Sequence, residues 1–208
     1  MVYDMELKLS NRAINFIDRQ LINIYSKIVS IYVKYVICKL KGVDIGLGNR
    51  FYGMPYFYIA NGGNIKVGSH NKFISSTTLN RMGVHHKCMI SATPGLSKDC
   101  NIEIGNHCGF SGTSIWCFKS IKIGNNVRCG ANTLIMDGDA HFDDKRTSPP
   151  KPIVIEDNVF LGAGVIVRKG VRIGKNSVIG MNSMVTHDIP ENVIAVGTPC
   201  RIIKSINR

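Results

Sequence analysis

The seven cysteines include no Cys-x-x-Cys pair and leave an odd total, so neither a structural zinc cluster nor a closed disulfide framework is written into this chain. Acidic residues are scarce, 14 against 26 lysines and arginines, for a formal net charge of +12. That excess implies anionic company: nucleic acid, an acidic membrane surface, or phosphate-bearing or acidic substrates. No zinc finger, stacked aromatic platform or basic recognition helix accompanies it, which leaves nucleic acid the least supported partner. The opening Met1-Val-Tyr-Asp-Met-Glu6 is acidic where a secretory signal would be basic, and with the unpaired cysteines it predicts a cytoplasmic protein. The period-two alternation of a sandwich is also missing.

What is present is a period of six. Ile155, Leu161, Val167, Ile173, Ile179 and Val185 recur every sixth residue, and Gly162, Gly174 and Gly180 each follow one of them. A helix needs apolar positions every three to four residues and a strand every second, so this spacing fits neither. It marks a hexapeptide β-solenoid, in which each hexad makes a short strand and a corner and its aliphatic side chain fills the interior. The phase continues upstream through Ile123, Cys129, Ile135 and His141, through Ile104, Phe110 and Trp116, and more weakly through Val67, Phe73 and Leu79. At three hexads per coil, residues 43–197, less their loops, predict roughly seven or eight coils. Cys108, Cys117 and Cys129 lie inside the repeats and read as small core fillers rather than reactive thiols.

Before the repeats the period changes. Ile14, Ile17, Leu21, Ile24, Tyr25, Ile28, Tyr32, Tyr35 and Val36 recur at helical intervals, predicting an amphipathic helical segment over 1–41, continuous or in two pieces. Lys27 and Lys34 interrupt its apolar run before the roughly 20 residues of a bilayer span. Arg12, Arg19, Lys27, Lys34, Lys39 and Lys41 make it basic, which suits peripheral attachment to an anionic membrane; capping the open first coil is the other reading, and the two are compatible. The solenoid domain is placed at 42–200, with a loop at 142–153 and a basic tail at 201–208.

His141 closes a repeat run immediately before the longest break in the hexad phase. Insertions in a solenoid project from a corner, and loops on a rigid scaffold are where catalysis is usually placed. Asp137, Asp139, Asp143 and Asp144 surround it. One of these carboxylates bonding Nδ1 fixes the tautomer that leaves Nε2 free to take a proton, with Asp139 carried forward as the candidate.

Several stretches resemble one family. They are Ile123-Gly-Asn-Asn-Val127, Asp137-Gly-Asp-Ala-His141, Ile155-Glu-Asp-Asn-Val-Phe-Leu-Gly-Ala163, Thr186-His-Asp-Ile-Pro-Glu-Asn-Val193 and Gly197-Thr-Pro-Cys-Arg-Ile-Ile-Lys204. In this order they are similar to the left-handed β-helix sugar O-acetyltransferases of galactoside, maltose, O-antigen and capsule acetylation. The resemblance implies an all-β left-handed parallel β-helix, a homotrimer, and acetyl transfer from acetyl-CoA to a carbohydrate hydroxyl. It implies His141 as general base and the backbone N–H of Ala163 as oxyanion donor, a role needing a donor at developing charge rather than a particular side chain. It also implies a pantetheine arm near Met181, Thr186 and His187, and nucleotide phosphates at Arg201 and Lys204. No metal is expected.

Two departures bear on the acceptor. Phe160 stands where many members carry Trp, keeping an aromatic wall without the indole donor. Where galactoside-type members place an Asn, this chain reads Gly109-Phe-Ser-Gly-Thr-Ser114, so Ser111 or Ser114 is the candidate hydroxyl. The O-antigen-like branch reads Ser-Gly-Thr here and Gly-x-x-His upstream, similar to Gly83-Val-His-His86, which implies His85 in the neighbouring subunit's acceptor cleft. A γ-class carbonic anhydrase on the same scaffold would need a His-x-x-x-x-His pair, and no two histidines are five apart. N-acetylation of an amino sugar and a non-enzymatic assembly module stay open as alternatives.

Overall fold

The computed structural model describes residues 2–206 apart from positions 81 and 97, with side chains from residue 15 onward. The side chains of Arg12 and Ile14 of the predicted helical pattern, and residues 207 and 208 of the predicted tail, therefore lie outside what is described.

Short strands alternate with corners, and parallel ladders between successive turns of the chain build three faces. The first face stacks Asp44–Ile45, Gly63–Val67, Cys100–Ile104, Ser120–Ile123, Ile153–Ile155 and Arg172–Ile173. The second stacks Arg50–Tyr52, Lys72–Ile74, Gly109–Ser111, Arg128–Cys129, Phe160–Leu161, Val178–Ile179 and Val193–Val196, and ends on Arg201–Ser205, which pairs antiparallel. The third stacks Tyr56–Ile59, Met89–Ala92, Ser114–Cys117, Leu134–Met136, Ile166–Val167 and Met184–Val185. This gives six complete coils and a seventh begun at Ile189 and Val193–Val196, at the low end of the prediction, because strand-free stretches at 75–88 and 93–99 add to the loop expected at 142–153, which itself starts earlier, at 137.

The interior is the hexad pattern made physical. Ile155, Leu161, Val167, Ile173, Ile179 and Val185 are all 0 % exposed. Phe51, Phe73 and Phe110 stack along the inside of the second face, with centroids 4.9 and 5.0 Å apart. Asparagine suits the corners because it tolerates the left-handed region: Asn126, Asn158, Asn176 and Asn192 have φ of 56–61°. All seven cysteines are buried, and burial pushes the Cys100 and Cys108 thiols up to about 11, so they remain protonated at neutral pH.

Two upstream repeat positions differ from the spacing. In Ser114–Cys117, Ile115 and Cys117 point inward and Trp116 outward, 38 % exposed. Leu79 belongs to the 75–88 loop, beside Leu21 and Tyr25 of the N-terminal helix.

That helix runs without a break as α1 (Val2–Tyr32), a π-helical stretch Val33–Cys38, and α2 (Lys39–Lys41), ending at Gly42 with φ 71°. Val29, Val33 and Cys38 join the solenoid core, and Ser30 Oγ accepts the Phe51 N–H at 2.9 Å. The helix thereby covers the first coil and satisfies a backbone donor that would otherwise lack a partner strand. Its other side leaves Ile17, Leu21, Ile24, Ile28, Ile31 and Tyr35 54–63 % exposed.

Candidate active site

The stretch 137–152 leaves the third face after Met136 and rejoins the first at Ile153. Asp137 is buried and accepts the backbone N–H groups of Phe118 at 2.6 Å, Lys119 at 2.9 Å and Ser120 at 2.7 Å. It fastens the base of the loop to the corner of the preceding coil. Asp139 then pairs with Arg168 Nη2 at 2.9 Å and with Lys169 Nζ, while Lys169 also donates to the Ser148 carbonyl at 2.6 Å. The Lys169 contact, above all, holds the Asp139 carboxyl below its usual range. This tether is therefore present above the ordinary carboxylate pKa and weakens only as pH falls through the lowered value. Phe142 packs edge-on against Phe118 at 5.1 Å and fills the space beside Gly95, where a Cβ would stand 2.6 Å from its ring.

His141 sits between these anchors with its side chain exposed. Its carbonyl accepts from Asp144 N–H at 3.2 Å and Thr147 Oγ1 at 2.8 Å, closing a turn around it. Of the four nearby carboxylates, Asp137 is engaged by backbone and Asp139 by two cations. Asp144 interacts electrostatically with His141, although its main partner is Arg146, at 2.6 Å. Thr186 and His187 lie on the same corner one coil beyond Arg168 and two beyond His141, with Thr186 Oγ1 and His187 Nδ1 2.9 Å apart.

The corner between the second and third faces carries the rest. The Ser111–Ser114 corner is followed in successive coils by those of Ala131, Ala163 and Met181, linked through Asn132 N–H to Ser111 O at 3.0 Å, Gly164 N–H to Ala131 O at 2.8 Å and Asn182 N–H to Ala163 O at 2.8 Å. The 75–88 loop docks here: His85 N–H donates to Asn132 Oδ1 at 2.8 Å. Gly162 permits the close stacking beside Ala163, since a Cβ on it would meet the Met181 nitrogen at 2.6 Å. Among the described residues the Ala163 N–H has no acceptor, and the same holds for Ala131 and Met181 at equivalent positions. The corner geometry itself thus leaves an outward donor free. Phe160 projects from the second face, 47 % exposed, and Arg201 and Lys204 stand on the exposed terminal strand of that face.

The two groups do not meet within one chain. Ala163 and Arg168 stand five residue steps apart along the third face, about 16 Å of extended chain. His141, Asp139, Thr186 and His187 occupy one edge of that face, and Ser111, Ser114, His85, Ala163 and Met181 the other. Between them the face turns Tyr56, Tyr58, Met89 and Trp116 outward, each 37–43 % exposed, whereas the first face presents Lys66, Glu103, Lys122 and Arg172. Sequence reasoning passed over Arg168, Lys169 and Asn132; the adjacent cations before Gly170, at a corner, were the available signal.

The pattern of the family described as hexapeptide repeat of succinyl-transferase matches residues 152–187. The galactoside O-acetyltransferase of Lactococcus lactis is 48 % identical over 99 residues, 42 % of this chain and 44 % of that protein. The galactoside O-acetyltransferase of Escherichia coli is 42 % identical over 113 residues, 51 % and 55 % of the two chains. The chain spans about half the length of these curated relatives. A solved structure of a mutant of AntD, an N-acyltransferase from Bacillus cereus in complex with dTDP-4-amino-4,6-dideoxyglucose and coenzyme A, aligns with TM-score 0.63 at 17 % identity, covering 83 % of this chain and 88 % of that one. That last likeness is one of fold. The architecture is the left-handed β-helix of hexapeptide-repeat acetyltransferases. Over the matched stretches the chain is similar to galactoside O-acetyltransferases and to the hexapeptide-repeat pattern.

Proposed function

We propose that this protein transfers an acetyl group from acetyl-CoA to a carbohydrate hydroxyl for surface polysaccharide, in a homotrimer whose active sites lie between subunits. The observation that carries this reading is the apolar third face flanked by two incomplete half-sites. Three copies about a threefold axis turn these faces inward and bring the His141 edge of one subunit against the Ala163 edge of the next. His141 Nε2 takes the proton of the acceptor hydroxyl as its oxygen attacks the thioester carbonyl. The Ala163 N–H donates to the oxyanion that forms, and as the carbon–sulfur bond breaks His141 returns the proton to the departing thiolate. Met181 from one edge and Thr186 and His187 from the other line the pantetheine arm, and Arg201 and Lys204 meet the nucleotide phosphates.

The test is thiol release from acetyl-CoA across neutral sugars, acidic sugars and amino sugars. Release that depends on a hydroxyl acceptor and yields an alkali-labile ester supports the proposal. An alkali-stable amide as sole product favours N-acetylation, and no acceptor-dependent release contradicts both.

The exposed side of α1 suits a membrane surface. By length and composition Asn15–Lys41 is long and apolar enough to span a bilayer. However, Val29 and Val33 are packed into the solenoid core, which a spanning helix could not maintain. Shallow burial of the exposed isoleucines beside Arg19, Lys27 and Lys34 supplies both terms of interfacial binding. Ile24→Glu with Ile28→Glu leaves the docked side intact and is expected to abolish co-sedimentation with vesicles containing phosphatidylserine; wild type ignoring such vesicles would contradict the attachment.

A further inference from the structure

The outward side chains of the second face form a ladder with one rung missing. In register, coil after coil, stand Arg50, Lys72, Gly109, Arg128 and Phe160. Gly109 carries no side chain, so the strands of Lys72 and Arg128 lie two spacings, about 9–10 Å, apart, with the Arg128 side chain leaning over the missing rung. The result is an open depression of about 480 Å³, floored by Gly109 and bounded by Lys72, Arg128, His70, His107 and Ser111. His70 and His107 stack at 5.1 Å with rings within 8° of parallel, forming one wall. Lys72 lies over the Tyr52 ring at 4.8 Å, and Arg128 Nη1 is held by the His107 carbonyl, so both cations are positioned while remaining exposed. Among the described residues no carboxylate lines the depression. Its far side ends at Ser111, on the corner that carries Ala163.

We propose that this depression binds an anionic group of the acceptor, a carboxylate of an acidic saccharide, and so makes the protein selective for acidic over neutral glycan chains. The role as an acceptor subsite rests on the acetyl-transfer reading; the binding chemistry does not. Arg128 lies over Gly109 with Nη1 on the His107 carbonyl, and its remaining guanidinium N–H groups are offered to a carboxylate that Lys72 meets from the other side. The second face lies away from the apolar third face, so it stays open when copies assemble through the latter. A phosphate would fit the same charges, which makes the donor's nucleotide end the competing source.

The test reads binding without turnover. Calorimetric titration of the full-length protein with oligogalacturonate, with a neutral malto-oligosaccharide of equal length, and with CoA compares wild type, Lys72→Ala with Arg128→Ala, and Gly109→Leu. The last variant refills the missing rung; the nearest atom to its Cβ is the flexible Arg128 side chain at 3.3 Å, so the backbone need not move. Oligogalacturonate binding is expected to weaken at least about tenfold in both variants, with CoA affinity unchanged and the neutral oligosaccharide binding far more weakly throughout. The proposal is overturned if wild type does not prefer the uronate, if both variants bind it as wild type does, or if CoA affinity falls instead. A wild type that binds the uronate but transfers no acetyl group would sink the acetyl-transfer reading and leave the anion site standing.

Discussion

His141→Ala is expected to lower kcat by about 10² to 10⁴ while the oligomer and the affinity for CoA persist. The ring is exposed and among the described residues its side chain makes no hydrogen bond, so removing it takes away a proton acceptor without opening the fold. The proposal places the thioester-bearing donor on other residues, so KM for acetyl-CoA should stay near wild type. Steady-state kinetics with saturating acceptor measure this. Turnover near wild type would remove His141 from the mechanism. Asp139→Asn is expected to act differently. Because its carboxylate holds Arg168 and Lys169, the loss should loosen the loop and raise KM as well as lowering kcat, rather than only altering the ring.

Asp137→Ala is expected to be the most destabilising single change at the site. The carboxylate accepts three backbone N–H groups while fully buried. Charge-assisted hydrogen bonds of this kind are each worth about 1.5–3 kcal/mol, and truncation leaves the donors without acceptors. A net cost on the order of 3–5 kcal/mol follows, roughly a 10 °C fall in Tm for a chain of this size. Asp137→Asn keeps one acceptor oxygen and should cost less. Thermal denaturation with matched oligomeric state checks both, and a Tm within about 2 °C of wild type for the alanine variant would contradict the role given to Asp137.

The solenoid was legible because its core repeats at a period no other architecture uses. Ile155 through Val185 obey it without exception, so their inward direction followed from spacing alone. Trp116 was misplaced since the corner after Phe110 takes one residue fewer than a hexad, and a count of six then lands on the outward neighbour of Ile115. Leu79 was misplaced because a loop residue can fall on the count by chance. The loop around His141 was legible as a break in phase, but the partners of its carboxylates were not. Asp139 is two residues from His141 in sequence, yet it is bound by Lys169, thirty residues on, which the stacking of coils brings to the same corner. The division of the site between two corners was equally hidden: it depends on which edge of a face each residue occupies, and that requires the strands to be laid in register.

Mixing two defective subunits tests the central claim most directly. His141→Ala removes the base, and Ala163→Pro removes the backbone donor at a position whose N–H takes no part in a ladder. Each variant alone should form trimers and be nearly inactive. If every site draws His141 from one subunit and Ala163 from the next, random co-assembly at equal ratio leaves about a quarter of sites with both groups intact, and acetyl transfer should recover to about that fraction of wild type. Mixed trimers that form, as shown by differently tagged subunits purified together, yet show no recovery would place both groups in one subunit and contradict the account.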